Sequence, residues 1–251
     1  MKSVTTLIGG DFVILTVTGL TKKYWNKIAV DDLSFELHKG VIGLLGENGA
    51  GKTTLMRMLC GTLTSTSGEI SYDGKKVSTE EYRSKLGYLP QEFGYYPEFT
   101  GRDFLMYFGA LSGFSKSDAM SRTEELLELV GLSDVAKKKV KSYSGGMKQR
   151  LGIALALVNH PEIIILDEPT VGLDPKERIR FRNLIKEIGK DNIVLLSTHI
   201  VTDIEHIADR VIMMKNGQII WDGQYDEIGN NLEGFYMKHF GCADDNYGKE
   251  V

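Results

Sequence analysis

The sequence predicts an α/β fold, and three observations carry that prediction. Short apolar or β-branched runs at residues 41–45, 163–166 and 192–196 alternate with amphipathic segments, the pattern of a sheet with helices packed on it. The first two of these runs are continuously apolar and close on Gly46 and Asp167, as expected of strands buried on both faces. Between about Glu92 and Pro161 the strand signals disappear, and the periodic segments 124–130 and 146–158 mark helices, so a helical insert interrupts the strands.

The remaining elements follow in chain order. Residues 7–20 are the most continuously apolar stretch, but they carry Asp11 and fall short of the roughly 18 residues that span a bilayer. They also lack the charged start and cleavage site of a signal peptide, and residues 13–17 read as an edge strand. Near the other end, residues 211–214 and 218–221 flank Asn216-Gly217, a pair suited to a tight hairpin because both turn positions need positive φ. Residues 244–251 are polar and aperiodic and read as a frayed tail.

Composition narrows the function. The 251 residues are 42% hydrophobic and 25% charged, ordinary for a chain with a sizeable core. A formal net charge of -4 argues against a nucleic-acid partner, which demands a basic surplus. Cys60 and Cys242 lie far apart and match no metal-ligand spacing, which fits a reducing cytosol.

The chemistry concentrates in two places. Gly46, Glu47, Asn48, Gly49, Ala50, Gly51, Lys52, Thr53 and Thr54 follow an apolar strand and open a helical run, the context a phosphate-binding loop needs. Glycines let successive N–H groups turn inward around a phosphate, and the helix N-terminus adds partial positive charge. Lys52 supplies a full charge at the β- and γ-phosphates, and the Thr53 hydroxyl is a ligand for Mg²⁺. The second place is the end of the 163–166 run, where Asp167 and Glu168 emerge beside that loop at the carboxyl edge of the sheet. Asp167 is placed to hold the Mg²⁺ shell and Glu168 to polarise the water that attacks the γ-phosphate.

Further residues resemble a known family. Tyr143-Ser144-Gly145-Gly146-Met147-Lys148-Gln149-Arg150 is similar to the signature motif of ABC ATPases. Tyr24 resembles that family's adenine-stacking aromatic, with Trp25 beside it also able to stack. Gln91 resembles the Q-loop glutamine, Gly172-Leu173-Asp174 the D-loop and His199 the switch histidine. Glu47, Tyr143 and Met147 depart from the commonest residues at their places. The resemblance implies a P-loop NTPase core with a mixed sheet, an N-terminal antiparallel β-subdomain and an inserted α-helical subdomain. It places an ABC ATPase domain over residues 11–223, with the insert at about 92–160, and a C-terminal helix and polar tail over 224–251. It also implies ATP and Mg²⁺ as cofactors, with Lys52, Gln91, Glu168 and His199 catalytic and Thr53, Gln91 and Asp167 around the metal. Ser144, Gly145 and Gly146 would cap the γ-phosphate of the nucleotide held by a second subunit, identical or paralogous, and Asp174 of the D-loop counts among the nucleotide-binding residues.

The same resemblance gives the aromatic run Phe93, Tyr95, Tyr96, Phe99, Phe104, Tyr107 and Phe108 a use. Phe104 and Phe108 are at helical spacing and suit a core; the others suggest a groove for a short helix of a separate membrane permease. The expected protein is thus a transport ATPase, by analogy of the export type, peripheral on the cytoplasmic face of the cell membrane. Competing readings are a soluble ABC ATPase acting on nucleic acid or the ribosome, and a nucleotide-gated regulatory subunit without turnover. Lys137, Lys138, Lys139 and Lys141 read as a solvated charge run.

Overall fold

The computed structural model describes residues 14–229 and 231–241. Two sheets organise it. The first is antiparallel, built from β1 (Leu15–Tyr24), β2 (Lys27–Leu37), β4 (Ser67–Tyr72) and the short β5 (Lys75–Lys76) in the order β2-β1-β4-β5. The strand read at residues 13–17 is therefore longer and is not an edge strand, because β1 lies between β2 and β4. Beyond Val17 only Leu20 is buried while Thr18, Thr21, Lys22 and Lys23 are exposed or half-exposed, and register shifts near Gly19, at φ 57°, break the alternation. Val13 and the tail at 244–251 lie outside the described residues.

The second sheet contains β3 (Gly40–Leu45), β6 (Leu86–Leu89), β7 (Ile163–Asp167), β8 (Ile193–Thr198), β9 (Arg210–Lys215) and β10 (Gln218–Gln224), in the order β10-β9-β3-β8-β7-β6. Pairing is parallel from β9 through β6, and β10 closes antiparallel on β9. The turn between those last two strands has Asn216 at φ 51° and Gly217 at φ 82°, the left-handed pair the dipeptide predicts.

Strand alternation divides the apolar residues between two cores. Ile42, Leu44, Ile163, Ile165, Ile193 and Leu195 face one layer, shared with the antiparallel sheet and α1 (Lys52–Leu59). Val41, Leu45, Ile164, Leu166, Val194 and Leu196 face the other. That second layer contains α6 (Pro175–Gly189), α7 (Val201–Ile204) and α9 (Leu232–Phe240), through residues such as Phe181, Ile204 and Leu232. The short α2 (Glu80–Ser84) and α8 (Tyr225–Ile228) complete the periphery.

The stretch without strand signals holds α3 (Gly101–Leu111), α4 (Lys116–Leu129) and α5 (Gly145–Ala156), packed on one another. Each begins on a hydroxyl cap, Thr100, Ser115 or Ser144, that accepts a first-turn N–H. The cap at Ser115 extends α4 well upstream of the periodic segment at 124–130. Phe104, fully buried, is the hub of the aromatic run: Phe93 and Phe108 lie 6.0 and 5.0 Å from it, centroid to centroid. Tyr96 stacks on Phe108 and meets Tyr107 edge-on. The irregular sequence spacing arises because the segment before α3 folds back over that helix. Phe104→Ala should lower the unfolding free energy by about 3–5 kcal/mol, read as a fall in the urea midpoint.

Candidate functional site

The sheet order sets the site. β8 lies between β3 and β7, all three parallel, with Thr198 beside Leu45 and Ser197 beside Asp167. Three loops consequently leave one edge side by side: the glycine loop after β3, Asp167-Glu168 at the end of β7, and His199 after β8. A cleft of about 470 Å³ opens there, lined by Tyr24, Lys27, Ala29, residues 47–54, Gln91 and Glu168.

The glycine loop is braced by its neighbours. A Cβ on Gly51, at φ 107°, would come within 2.2 Å of the Ala29 carbonyl oxygen, so only glycine fits that approach. The Asn216-Gly217 turn donates the Gly217 N–H to the Ala50 carbonyl at 2.9 Å, while the Gly217 carbonyl accepts from the Asp31 N–H. Gly51 caps α1 without a side chain, which leaves the first-turn N–H groups facing the cleft.

Lys52 is buried, and its ammonium donates to the Gly46 carbonyl at 2.6 Å and the Glu47 carbonyl at 3.2 Å. Burial pulls its pKa below the ordinary lysine value, opposed by the charges of Glu168 and Asp167. Glu168 Oε1 lies 3.9 Å from Lys52 Nζ, and Glu168 Oε2 lies 2.8 Å from His199 Nδ1. The Glu168 backbone is left-handed, at φ 51°, a strain on the order of 1–3 kcal/mol in a non-glycine residue. Its N–H donates to both oxygens of Ser197, which fixes the carboxylate's point of departure. Ser197 Oγ in turn donates to Asp167 Oδ1 at 2.6 Å. Asp167 Oδ2 is buried and has no hydrogen-bond partner among the described residues.

The sequence singled out neither Ser197 nor Lys27 and Ala29. The signal for Ser197 was available, since a hydroxyl within a fully buried strand must find a partner. Of the two candidate aromatic residues, Tyr24 lines the cleft with Lys22 Nζ 5.1 Å over its ring. Trp25 occupies a left-handed turn position and is 97% exposed.

A second group does not join this cleft within one chain. Ser144 caps α5 by accepting the Met147 N–H at 3.1 Å, and Asp174 caps α6 by accepting the Glu177 N–H at 2.8 Å. Gly146 packs so tightly on the Glu177 carboxylate that a Cβ would lie 1.9 Å from it, whereas Gly145 has open space around it apart from the Gly172 carbonyl at 3.9 Å. The lysine run divides: Lys139 and Lys141 both clasp Glu98 at 2.8 Å.

Comparison with known proteins gives the decisive observation: residues 30–171 match the family described as ABC transporter. The chain belongs to that family. It is 44% identical over 216 residues to the uncharacterized ABC transporter ATP-binding protein YxlF of Bacillus subtilis (strain 168), covering 86% of this chain and 72% of the relative. The linearmycin resistance ATP-binding protein LnrL of the same organism is 36% identical over 225 residues, 88% of this chain and 72% of that one. In fold, the chain resembles the ATP-binding cassette MJ0796, solved as a dimer in a post-hydrolysis state bound to ADP and Pi. The TM-score is 0.77 at 24% identity, over 84% of this chain and 98% of that one. The chain is an ATP-binding, ATP-hydrolysing subunit of an ABC transporter. None of the described helices of this ABC subunit is long and apolar enough to cross a membrane.

Proposed function

We propose that this subunit binds ATP in the 470 Å³ cleft, hydrolyses it with Glu168, and uses the cycle to pull two ATPase subunits together and release them beneath a separate permease. The observation that carries the reading is the meeting of Lys52, Glu168 and His199 at the mouth of a glycine loop. Residues 46–54 cradle the triphosphate, Lys52 turns its ammonium from the loop carbonyls to the β- and γ-phosphates, and Tyr24 stacks on the adenine. Glu168 accepts the proton of the attacking water, while His199 holds the carboxylate and the γ-phosphate in register.

The residues fit Mg²⁺, because beside the loop Asp167 presents a buried oxygen without a partner among the described residues and Thr53 and Gln91 line the same cleft. Those three would hold the ion, which when bound neutralises charge developing on the phosphate oxygens.

Ser144, Gly145 and Gly146 form an anion-binding helix start that the chain does not turn toward its own cleft, and together with Asp174 it serves the γ-phosphate held by the opposite subunit. The partner is a second copy or a paralogue. The exposed rings Tyr96 and Tyr107, 47% and 41% accessible, belong to the permease-docking face around residues 93–108. Kinship with a resistance protein favours export, at the cytoplasmic face of the membrane.

Gly145→Asp tests the paired arrangement. The position has room for a side chain, and an aspartate in the first turn suits the helix dipole, so the fold should persist. Its charge opposes an arriving phosphate, so ATP-dependent dimerisation of the Glu168→Gln background, followed by analytical ultracentrifugation, should be lost. An ATP-induced dimer at undiminished affinity would overturn the shared-nucleotide arrangement.

A further inference from the structure

The carboxylate of Asp203, which neither the motifs nor the cleft includes, is 2% exposed. One oxygen accepts the Thr170 hydroxyl at 2.5 Å, and the other lies 3.8 Å from the Arg178 guanidinium. These three residues come from three different segments at the catalytic edge, the loop after β7, the first turns of α6, and α7. Thr170, itself fully buried, is two residues beyond Glu168. Asp203 sits in α7, four residues beyond His199, and Arg178 is four beyond Asp174 in α6. A single buried side chain thus ties together the segments that carry Glu168, His199 and Asp174.

We propose that Asp203 is a positioning residue that sets the distance between Glu168 and His199. The proposal rests on the catalytic reading of that pair. The His199 side chain is 49% exposed, so packing does not hold the ring at its 2.8 Å contact; the backbone that carries it must. That backbone is held on one side by α9, which packs on α7. On the side of α6, that helix packs on α7 and the Arg182 guanidinium donates to the Thr202 carbonyl at 3.1 Å, at the wall of a cleft of about 410 Å³ that Arg178, Arg182, Thr202 and Asp203 itself line. Upstream of His199 the Glu168 N–H is anchored on Ser197, and downstream of it the Thr170–Asp203 bond ties the same loop to α7. Stability alone does not account for a carboxylate here, since a buried charge with one hydroxyl and a distant guanidinium is no better than an apolar side chain of similar size. A fixed geometry does account for it, because a misplacement of about 1 Å can cost a hundredfold in rate.

The test compares Thr170→Val, Thr170→Ser, Asp203→Ala and the Thr170→Val/Asp203→Ala double variant in the full-length chain. ATP turnover, KM and the urea midpoint are measured for each. Thr170→Val removes the hydroxyl while keeping the shape, so it carries the test should Asp203→Ala fail to fold. The expected result is a fall in kcat of roughly 10- to 100-fold with KM nearly unchanged for Thr170→Val and Asp203→Ala. Thr170→Ser should keep parental kcat, and the double variant should be no slower than either single one. Parental kcat in folded Thr170→Val, or a fall in kcat that Thr170→Ser does not rescue or that adds in the double variant, overturns the proposal. Glu168→Gln run in parallel separates the two levels: if it is inactive, such a failure belongs to Asp203 alone, and if it turns over at the parental rate, the catalytic reading falls and takes this proposal with it.

Discussion

Glu168→Gln should retain ATP affinity and lose turnover by on the order of 10²- to 10⁴-fold, the range for removal of a general base. The amide keeps the size of the carboxylate and its hydrogen bond with His199, so the 2.8 Å contact survives. What disappears is the ability to take a proton from water. Lys52 loses an anionic neighbour 3.9 Å away, but its phosphate-directed role needs no carboxylate. Because binding persists while cleavage stops, the variant should accumulate as an ATP-bound dimer. Rapid-quench assays of phosphate release and sedimentation with ATP check both halves; turnover at the parental rate would remove Glu168 from the mechanism.

Lys52→Ala has the complementary effect. A charge-assisted bond is worth roughly 1.5–3 kcal/mol, so ATP should bind about ten- to a hundred-fold more weakly. AMP, which lacks the β- and γ-phosphates, should bind as to the parent. The fold should tolerate the change, since the ammonium is desolvated and the loop is braced independently by Gly217 and the packing of Gly51 on Ala29. Isothermal titration with ATP and AMP checks the contrast; equal affinity of variant and parent for ATP contradicts the proposed contact.

Much of this architecture was legible in the residues because the informative signals were local. The apolar runs ending at Gly46 and Asp167 became β3 and β7, and Asn216-Gly217 became the hairpin turn. The sequence could not show that β8 threads between β3 and β7, which is what brings His199 to Glu168. Nor could it show β1 as an interior strand, since its polar half is on the surface and a bulge interrupts its period. Nor could chain order choose between Tyr24, which lines the cleft, and Trp25, which sits exposed at a left-handed turn position. The Thr170–Asp203 bond joins residues with no shared motif, and chain order alone does not reveal such partners.

The bond from Gly217 to Ala50 also carries a consequence for biosynthesis. During translation the glycine loop leaves the ribosome about 160 residues ahead of the turn that braces it, an interval of roughly 8–30 s at about 5–20 residues per second. Strand β8 is likewise made late, after β3 and β7 on either side of it. A nascent chain halted before residue 193 lacks both the wedge and the brace, and so has no finished place for a nucleotide. Ribosome-arrested fragments should become able to retain ATP abruptly, late in elongation, which keeps half-made subunits out of the assembly line.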